Sequence, residues 1–152
     1  MDLTSSAFAS EEAIPAKYTC DGADVSPPLK ISDVPGETES LALVMDDPDA
    51  PGGTFDHWLI WDLPPGTEQL PESIPREEKV EDLAAARQGL NDFGQPGYRG
   101  PCPPAGVHRY RFKLFALSAS PELASGSRKP ELMEAIKGKI ITQAELVGKY
   151  SR

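Results

Sequence analysis

Two histidines and a pair of aspartates are the residues of this chain best placed to do chemistry. His57 opens the run His57-Trp58-Leu59-Ile60-Trp61, and His108 opens His108-Arg109-Tyr110-Arg111-Phe112-Lys113-Leu114. A third apolar run, Leu41 to Met45, leads into Asp46-Asp47-Pro48-Asp49-Ala50-Pro51. Side chains alternate faces along a strand. On that phase His57 shares a face with Leu59 and Trp61. His108 shares one with Tyr110, Phe112, Leu114 and Ala116, and Asp47 shares one with Leu41, Leu43 and Met45. Polar groups that continue three core-facing rows describe a pocket.

The chemistry open to such a pocket is anion binding. A carboxylate beside an imidazole favours the charged ring, and a protonated histidine donates from both nitrogens. Asp47, Asp49, His57, His108 and Tyr110 together could hold a phosphate or a carboxylate. We expect Asp47 to orient and charge His57. Gly94, Gly97, Gly100 and Gly106 precede His108 and would let backbone N–H groups approach a ligand. Pro101, Pro103 and Pro104 would stiffen that rim and lower its ordering cost. Three other readings stay open, the first being that either histidine is simply a satisfied, part-buried residue. Two histidines and a carboxylate suit zinc or iron, although no His-x-x-His spacing is present. Asp47-Pro48-Asp49-Ala50-Pro51 also has the composition of a plain rigid turn. No nucleophile elbow, P-loop or dinucleotide fingerprint occurs, so we expect a binding protein rather than an enzyme, with no cofactor and no bound metal.

The elements that must position these residues read as strands. Ser40 to Met45 and Thr54 to Leu63 are joined by a short Pro/Gly/Asp loop, which favours an antiparallel pair and brings Asp47 near His57. Arg109 to Ser118 is the cleanest alternating segment, and Leu29 to Ile31 is a shorter one. Residues 64 to 107 read as loop, with a short helix possible over Glu77 to Arg87. A better helix runs from Arg128 through Lys137, with Pro130 in its first turn and Gly138 as its stop. Glu145 to Tyr150 reads as a final strand. The expected fold is all-β, a sandwich of two antiparallel sheets with one or two short helices, in a single domain over residues 1–152.

Composition narrows the partners. The net charge of −9 disfavours nucleic acid and anionic membrane surfaces as bulk partners. No apolar run is long enough to cross a membrane. The first residues lack the basic start and apolar stretch of a signal peptide, and with Met1 they point to the cytoplasm. Cys20 and Cys102 stand 82 residues apart, without a CxxC pair, so they make no zinc signature. In a reducing compartment they read as two free thiols.

Taken in order, these blocks resemble the phosphatidylethanolamine-binding protein family, closest to its short bacterial and archaeal Raf-kinase-inhibitor-like branch. The blocks are Asp47-Pro48-Asp49-Ala50-Pro51, His57-Trp58, Gly100-Pro101-Cys102-Pro103-Pro104 and His108-Arg109-Tyr110. Tyr18-Thr19-Cys20-Asp21-Gly22, Ser26-Pro27-Pro28-Leu29, Asn91-Asp92-Phe93-Gly94 and Glu145 to Tyr150 support them. The chain departs from the pattern at Lys30-Ile31-Ser32, Phe55 and Lys137-Gly138-Lys139. The resemblance implies a β-sandwich with a small anion pocket at one end. Asp47, His57, His108 and Tyr110 would line it, and the Cys102 backbone and Pro104 would form its rim. It also implies phosphoryl ligands, a protease or kinase as protein partner, and a homodimer. Both cysteines belong to blocks that approach the pocket, which reopens the question of a disulfide.

Overall fold

The computed structural model describes all 152 residues as two antiparallel sheets and one helix. In chain order the strands are β1 (Asp2–Thr4), β2 (Leu29–Ser32), β3 (Ser40–Asp47), β4 (Phe55–Leu63), β5 (Gln69–Leu70), β6 (Lys79–Val80), β7 (Ala86–Gln88), β8 (Val107–Leu117) and β9 (Ile140–Ser151), with helix α1 (Lys129–Ile136) before β9. The small sheet has order β1-β2-β5, and the large one β6-β7-β4-β3-β8-β9. No helix is long and apolar enough to cross a membrane.

The sandwich follows from strands that are apolar on both faces. All eight residues of β3 are buried. Leu41, Leu43 and Met45 face the small sheet, in one cluster with Trp58, Ile60, Tyr110, Phe112, Leu114, Leu29, Ile31 and Leu70. Ala42 and Val44 face the other way, in a second cluster with Leu59, Trp61, Phe115, Leu132 and Ile136. Helix α1 therefore covers the outer face of the large sheet. Its start fits the local chemistry. Pro130 lies in the first turn, where its missing N–H costs nothing, and the Glu131 carboxylate accepts the Arg128 N–H at 3.0 Å. Gly138 follows at a φ of +79°, a conformation that glycine adopts without steric cost.

Three sequence expectations are revised and one open question is answered. Glu77 to Arg87 holds only one short 3-10 turn of helix, set between two short strands that the sequence did not show. Lys79–Val80 and Ala86–Gln88 form a hairpin around a 3-10 turn, Glu81–Leu83. Its weak helical stripe loses to a sheet edge, because the buried Gln88 ties β7 inward. The Gln88 side chain accepts the Trp58 indole N–H and donates to Pro75 O and Glu77 O, each at 2.8 Å. The last strand starts at Ile140 rather than Glu145, paired along the whole of β8. Short strands β1 and β5 carried no alternation to read. Finally, Cys20 and Cys102 form a disulfide, with their Cα atoms 5.4 Å apart. Closing a loop of this separation constrains the unfolded chain by about 4 kcal/mol.

Helix and sheet are also joined by buried charge. Asp46 is fully buried and accepts Arg111 Nε at 2.8 Å and Lys129 Nζ at 2.7 Å. Lys129 also lies 3.1 Å from Asp56 on β4. Burial alone would raise the Asp46 pKa, but the hydrogen bonds from Arg111 and Lys129 outweigh it and hold the carboxyl below its ordinary value. A depressed carboxyl contributes stability that is complete above its unfolded value and is lost as pH falls through its folded one. Asp46→Ala leaves two cations without their shared partner, and we predict a loss of about 3 kcal/mol in urea unfolding at neutral pH. The difference from wild type should shrink below about pH 4.

Candidate anion-binding cavity

One extra residue in β4 sets the geometry of the site. Met45 pairs with Trp58, but the next residue, Asp46, pairs with Asp56. His57 is the unpaired residue of a β-bulge, a device that re-aims a side chain. This corrects the phase read from sequence. Leu59 and Trp61 pack under α1, whereas the His57 ring meets Tyr110 at 5.4 Å and Phe55 at 5.0 Å. His57, His108 and Tyr110 thereby line one cavity of about 280 Å³, closed by Ala50, Pro51, Phe55, Phe93, Cys102 and Pro104. For His108 and Asp47 the simple alternation holds, since β3 and β8 pair without a shift beside them.

Each imidazole is fixed through Nδ1, and the two partners differ. His108 Nδ1 lies 2.7 Å from Asp47 Oδ2, and His57 Nδ1 lies 2.7 Å from Arg99 O. Asp47 therefore orients His108 rather than His57, contrary to the expectation. The β3–β4 hairpin does bring Asp47 to this end of the sheet, but β8 offers it the nearer ring. Its other oxygen, Oδ1, accepts the Asp49 N–H at 2.7 Å and closes the Asp-Pro-Asp turn. Since a carbonyl only accepts, His57 carries its proton on Nδ1 and is left with Nε2 for a ligand. Arg99 completes a reciprocal pair, its N–H donating to His57 O at 3.2 Å.

Burial pushes His57 below the ordinary histidine pKa, against the Arg99 carbonyl and the Asp47 carboxylate, which favour the charged ring. His57 is therefore neutral at neutral pH, not charged by Asp47 as expected. Burial and the nearby Asp47 carboxylate raise the Tyr110 pKa, so its hydroxyl keeps its proton. No lysine or arginine lines the cavity, and no group of three or more His, Cys, Asp or Glu side chains is placed to hold a metal.

Two expected site residues do other work. Asp49 stays outside the cavity, where its carboxylate accepts Arg109 N at 2.9 Å, Nε at 3.0 Å and NH2 at 2.9 Å. Hydrogen bonds from Arg109 hold the Asp49 carboxyl down at about 2. The Gly100 N–H is already taken by Asp24 Oδ1 at 2.7 Å, and a Cβ there would meet Tyr18 O at 2.0 Å. Glycine at 100 thus permits close packing of two loops and gives no ligand donor. The Cys102 N–H, by contrast, makes no hydrogen bond within the protein. Sequence reasoning missed Phe55 and Phe93 as cavity walls. Phe93 is carried on a turn closed by Asn91, whose Oδ1 accepts the N–H groups of Phe93 and Gln95. The Asn-x-x-Gly spacing was the available signal.

The family model for phosphatidylethanolamine-binding protein matches residues 4–151. The chain belongs to the phosphatidylethanolamine-binding protein family. Among its relatives, a UPF0098 protein of Pyrococcus horikoshii is 50% identical over 150 residues, covering 97% of this chain and 75% of that one. A UPF0098 protein of Methanothermobacter thermautotrophicus is 47% identical and covers 100% of this chain and 99% of its own. Two solved structures of the family superpose closely. A phosphatidylethanolamine-binding protein homologue from Chlamydia trachomatis has a TM-score of 0.91 at 42% identity, covering 99% of this chain and 97% of that one. YbcL of E. coli, described as a member of the mammalian family, has a TM-score of 0.92 at 32% identity, covering 99% and 98%. Membership in this family agrees with the all-β sandwich expected from sequence.

The His57 geometry has a direct spectroscopic consequence. Nitrogen-15 NMR at neutral pH should show His57 protonated at Nδ1 and bare at Nε2, titrating below the ordinary histidine value of about 6.5. A His57 that is charged at pH 7 contradicts the assignment. A depressed histidine also contributes stability that is complete above about pH 6.5 and is lost as pH falls through its folded value. His57→Phe should therefore weaken the acid dependence of the melting temperature in that window.

Proposed function

We propose that this chain is a binding protein whose cavity takes a small phosphate-like anion, such as a phosphoryl head group. The observation that carries the reading is the pair of imidazoles, each fixed through Nδ1, that line one cavity with a hydroxyl held protonated. The Cys102 N–H is a donor ready for an anion, and the Tyr110 O–H, which also faces the Asp47 carboxylate, can turn to one. Nε2 of His57 and His108 become donors on protonation.

Charge balance then dictates the pH behaviour. With no cation in the wall, a bound anion must draw its counter-charge from a proton taken up by imidazole. The anion raises the pKa of the ring it touches, and by linkage the protein binds the anion more tightly as pH falls through the depressed His57 value. Phe55, Phe93, Pro51 and Pro104 give the cavity an apolar collar, and hydrogen bonds strengthen as their surroundings become less polar. A small enclosed volume and few polar groups suit a head group rather than a large ligand.

Isothermal titration with phosphoethanolamine tests the proposal. Affinity should rise by up to about tenfold per pH unit as pH falls toward the His57 value of the free protein and level off below it, with proton uptake visible above that value as a buffer-dependent heat. Tyr110→Phe should weaken binding by about tenfold, the worth of one charge-assisted hydrogen bond. His108→Ala should weaken it further, because Asp47 then faces the anion without its ring. Absence of binding near pH 6, or binding indifferent to both substitutions, overturns the reading. Turnover of a phosphoester panel that is lost in His57→Ala would instead make the cavity an active site.

A further inference from the structure

We propose that Cys20–Cys102 is a thiol-exchange site through which a dithiol reductant loosens one wall of the cavity. Four observations converge. Both cysteines are exposed, so a thiolate can reach them. Cys102 is itself a wall residue of the cavity. The Arg152 guanidinium NH1 lies 3.3 Å from Cys102 Sγ and 3.8 Å from Cys20 Sγ. The segment from Cys102 to Ala105 makes no backbone hydrogen bond to the rest of the protein.

The last point decides what the bond does. On one side, Pro101 O accepts the Cys20 N–H at 3.1 Å. On the other, Gly106 and Arg152 exchange two backbone hydrogen bonds, at 3.1 and 3.3 Å. Between them, the disulfide and the buried ring of Pro103 hold the rim. The opposite wall is held quite differently, with His57 locked to Arg99 by backbone hydrogen bonds and Arg99–Gly100 clamped by the Asp24 carboxylate. Opening the disulfide therefore frees Cys102 and Pro104 and leaves the histidines in place.

The guanidinium sets the direction of exchange. A neighbouring cation lowers a thiol pKa, and a lower leaving-group pKa speeds departure. Arg152, itself held 3.4 Å from Asp21, stands nearer Cys102 Sγ. An incoming thiolate therefore attacks Cys20 Sγ, the S–S bond breaks, and Cys102 leaves as a thiolate beside Arg152. The second thiol of the reductant then attacks the mixed disulfide. The reductant ends as a disulfide, and the protein ends with two reduced cysteines. The effect on affinity rests on the anion-binding reading above; the exchange itself does not.

Native protein is incubated with millimolar dithiothreitol, pulse-alkylated and weighed intact, with circular dichroism recorded in parallel. Two alkyl groups on a protein that keeps its fold are expected, and Arg152→Ala should slow their appearance by roughly threefold to tenfold. A disulfide that resists until the protein unfolds, or a fold lost on reduction, makes it a structural staple and overturns the proposal. An unchanged rate in Arg152→Ala overturns the role of the guanidinium. Calorimetry with inorganic phosphate should show roughly tenfold weaker binding to the reduced protein and to Cys20→Ser/Cys102→Ser; equal affinity overturns the coupling. Should the oxidised protein bind no phosphate, the anion reading fails by itself. Reduction must then still shift the NMR signals of Cys102 to Ala105 while sparing His57, and a rim whose signals do not move overturns the proposal.

Discussion

The bulge at His57 is the constraint on which the rest of the site depends. Without it, β4 would alternate without interruption, and His57 would join Leu59 and Trp61 beneath α1. The single extra residue instead divides two neighbouring polar pairs between opposite faces. Asp46 and Asp56, paired across β3 and β4, meet Lys129 on the helix side. Asp47 and His57 turn toward the cavity end, where β8 contributes His108 and Tyr110. One local irregularity thus sends carboxylates of nearly adjacent residues into two different tasks. Asp46 anchors the helix through Arg111 and Lys129, and Asp47 holds a ring.

The same arrangement leaves the cavity of this acidic chain without a free cation in its wall. Cations near the cavity are committed elsewhere. Arg111 and Lys129 belong to Asp46, Arg109 to Asp49, and Arg99 to Asp24. What faces the cavity is neutral hydrogen-bonding surface in an apolar collar. On the proposed reading, such a site would discriminate by proton affinity more than by stored charge, because desolvation opposes any ion until a ring protonates to meet it. The net charge of −9 works in the same direction, since it provides no long-range steering toward anions. Selectivity must arise from contact inside the collar.

Much of this was readable from residue order, and the failures share one cause. Strand β8 carries clear alternation and β3 and β4 are continuous apolar runs, and the termini of β3 and β8 bring Asp47, His108 and Tyr110 to one end of the sheet. Alternation is blind to a bulge, because an inserted residue leaves no mark on hydropathy. Hence His57 was put in the right neighbourhood but on the wrong face, and its partner was taken to be Asp47 rather than Arg99 O. The same blindness hid Phe93 and Asp24, which act from loops whose positions are set by contacts distant in sequence. Asp24 reaches Arg99 and Gly100 across a separation of 75 and 76 residues. No periodicity spans such a gap. Asp49 misled for a different reason, since its place in the Asp-Pro-Asp block suits either a pocket or an ion pair, and only the register of β8 puts Arg109 within its reach.

These contacts also rank the walls by how firmly they are held. His57 is fixed by two hydrogen bonds to one residue, Arg99, which is itself clamped by the partly buried Asp24 carboxylate. His108 is fixed by the hydrogen bond between its Nδ1 and Asp47 and by its place in an interior strand of the large sheet. Phe93 depends on an Asn91 turn and on the Arg99 guanidinium lying 5.2 Å over its ring. The Cys102–Pro104 rim has no such network, and proline-rich backbone has few N–H groups with which to build one. A single covalent bond is the economical way to hold such a segment, and it is also the one restraint in the cavity that chemistry can remove without disturbing the histidines. The least hydrogen-bonded wall is therefore the one that rests most on a covalent bond.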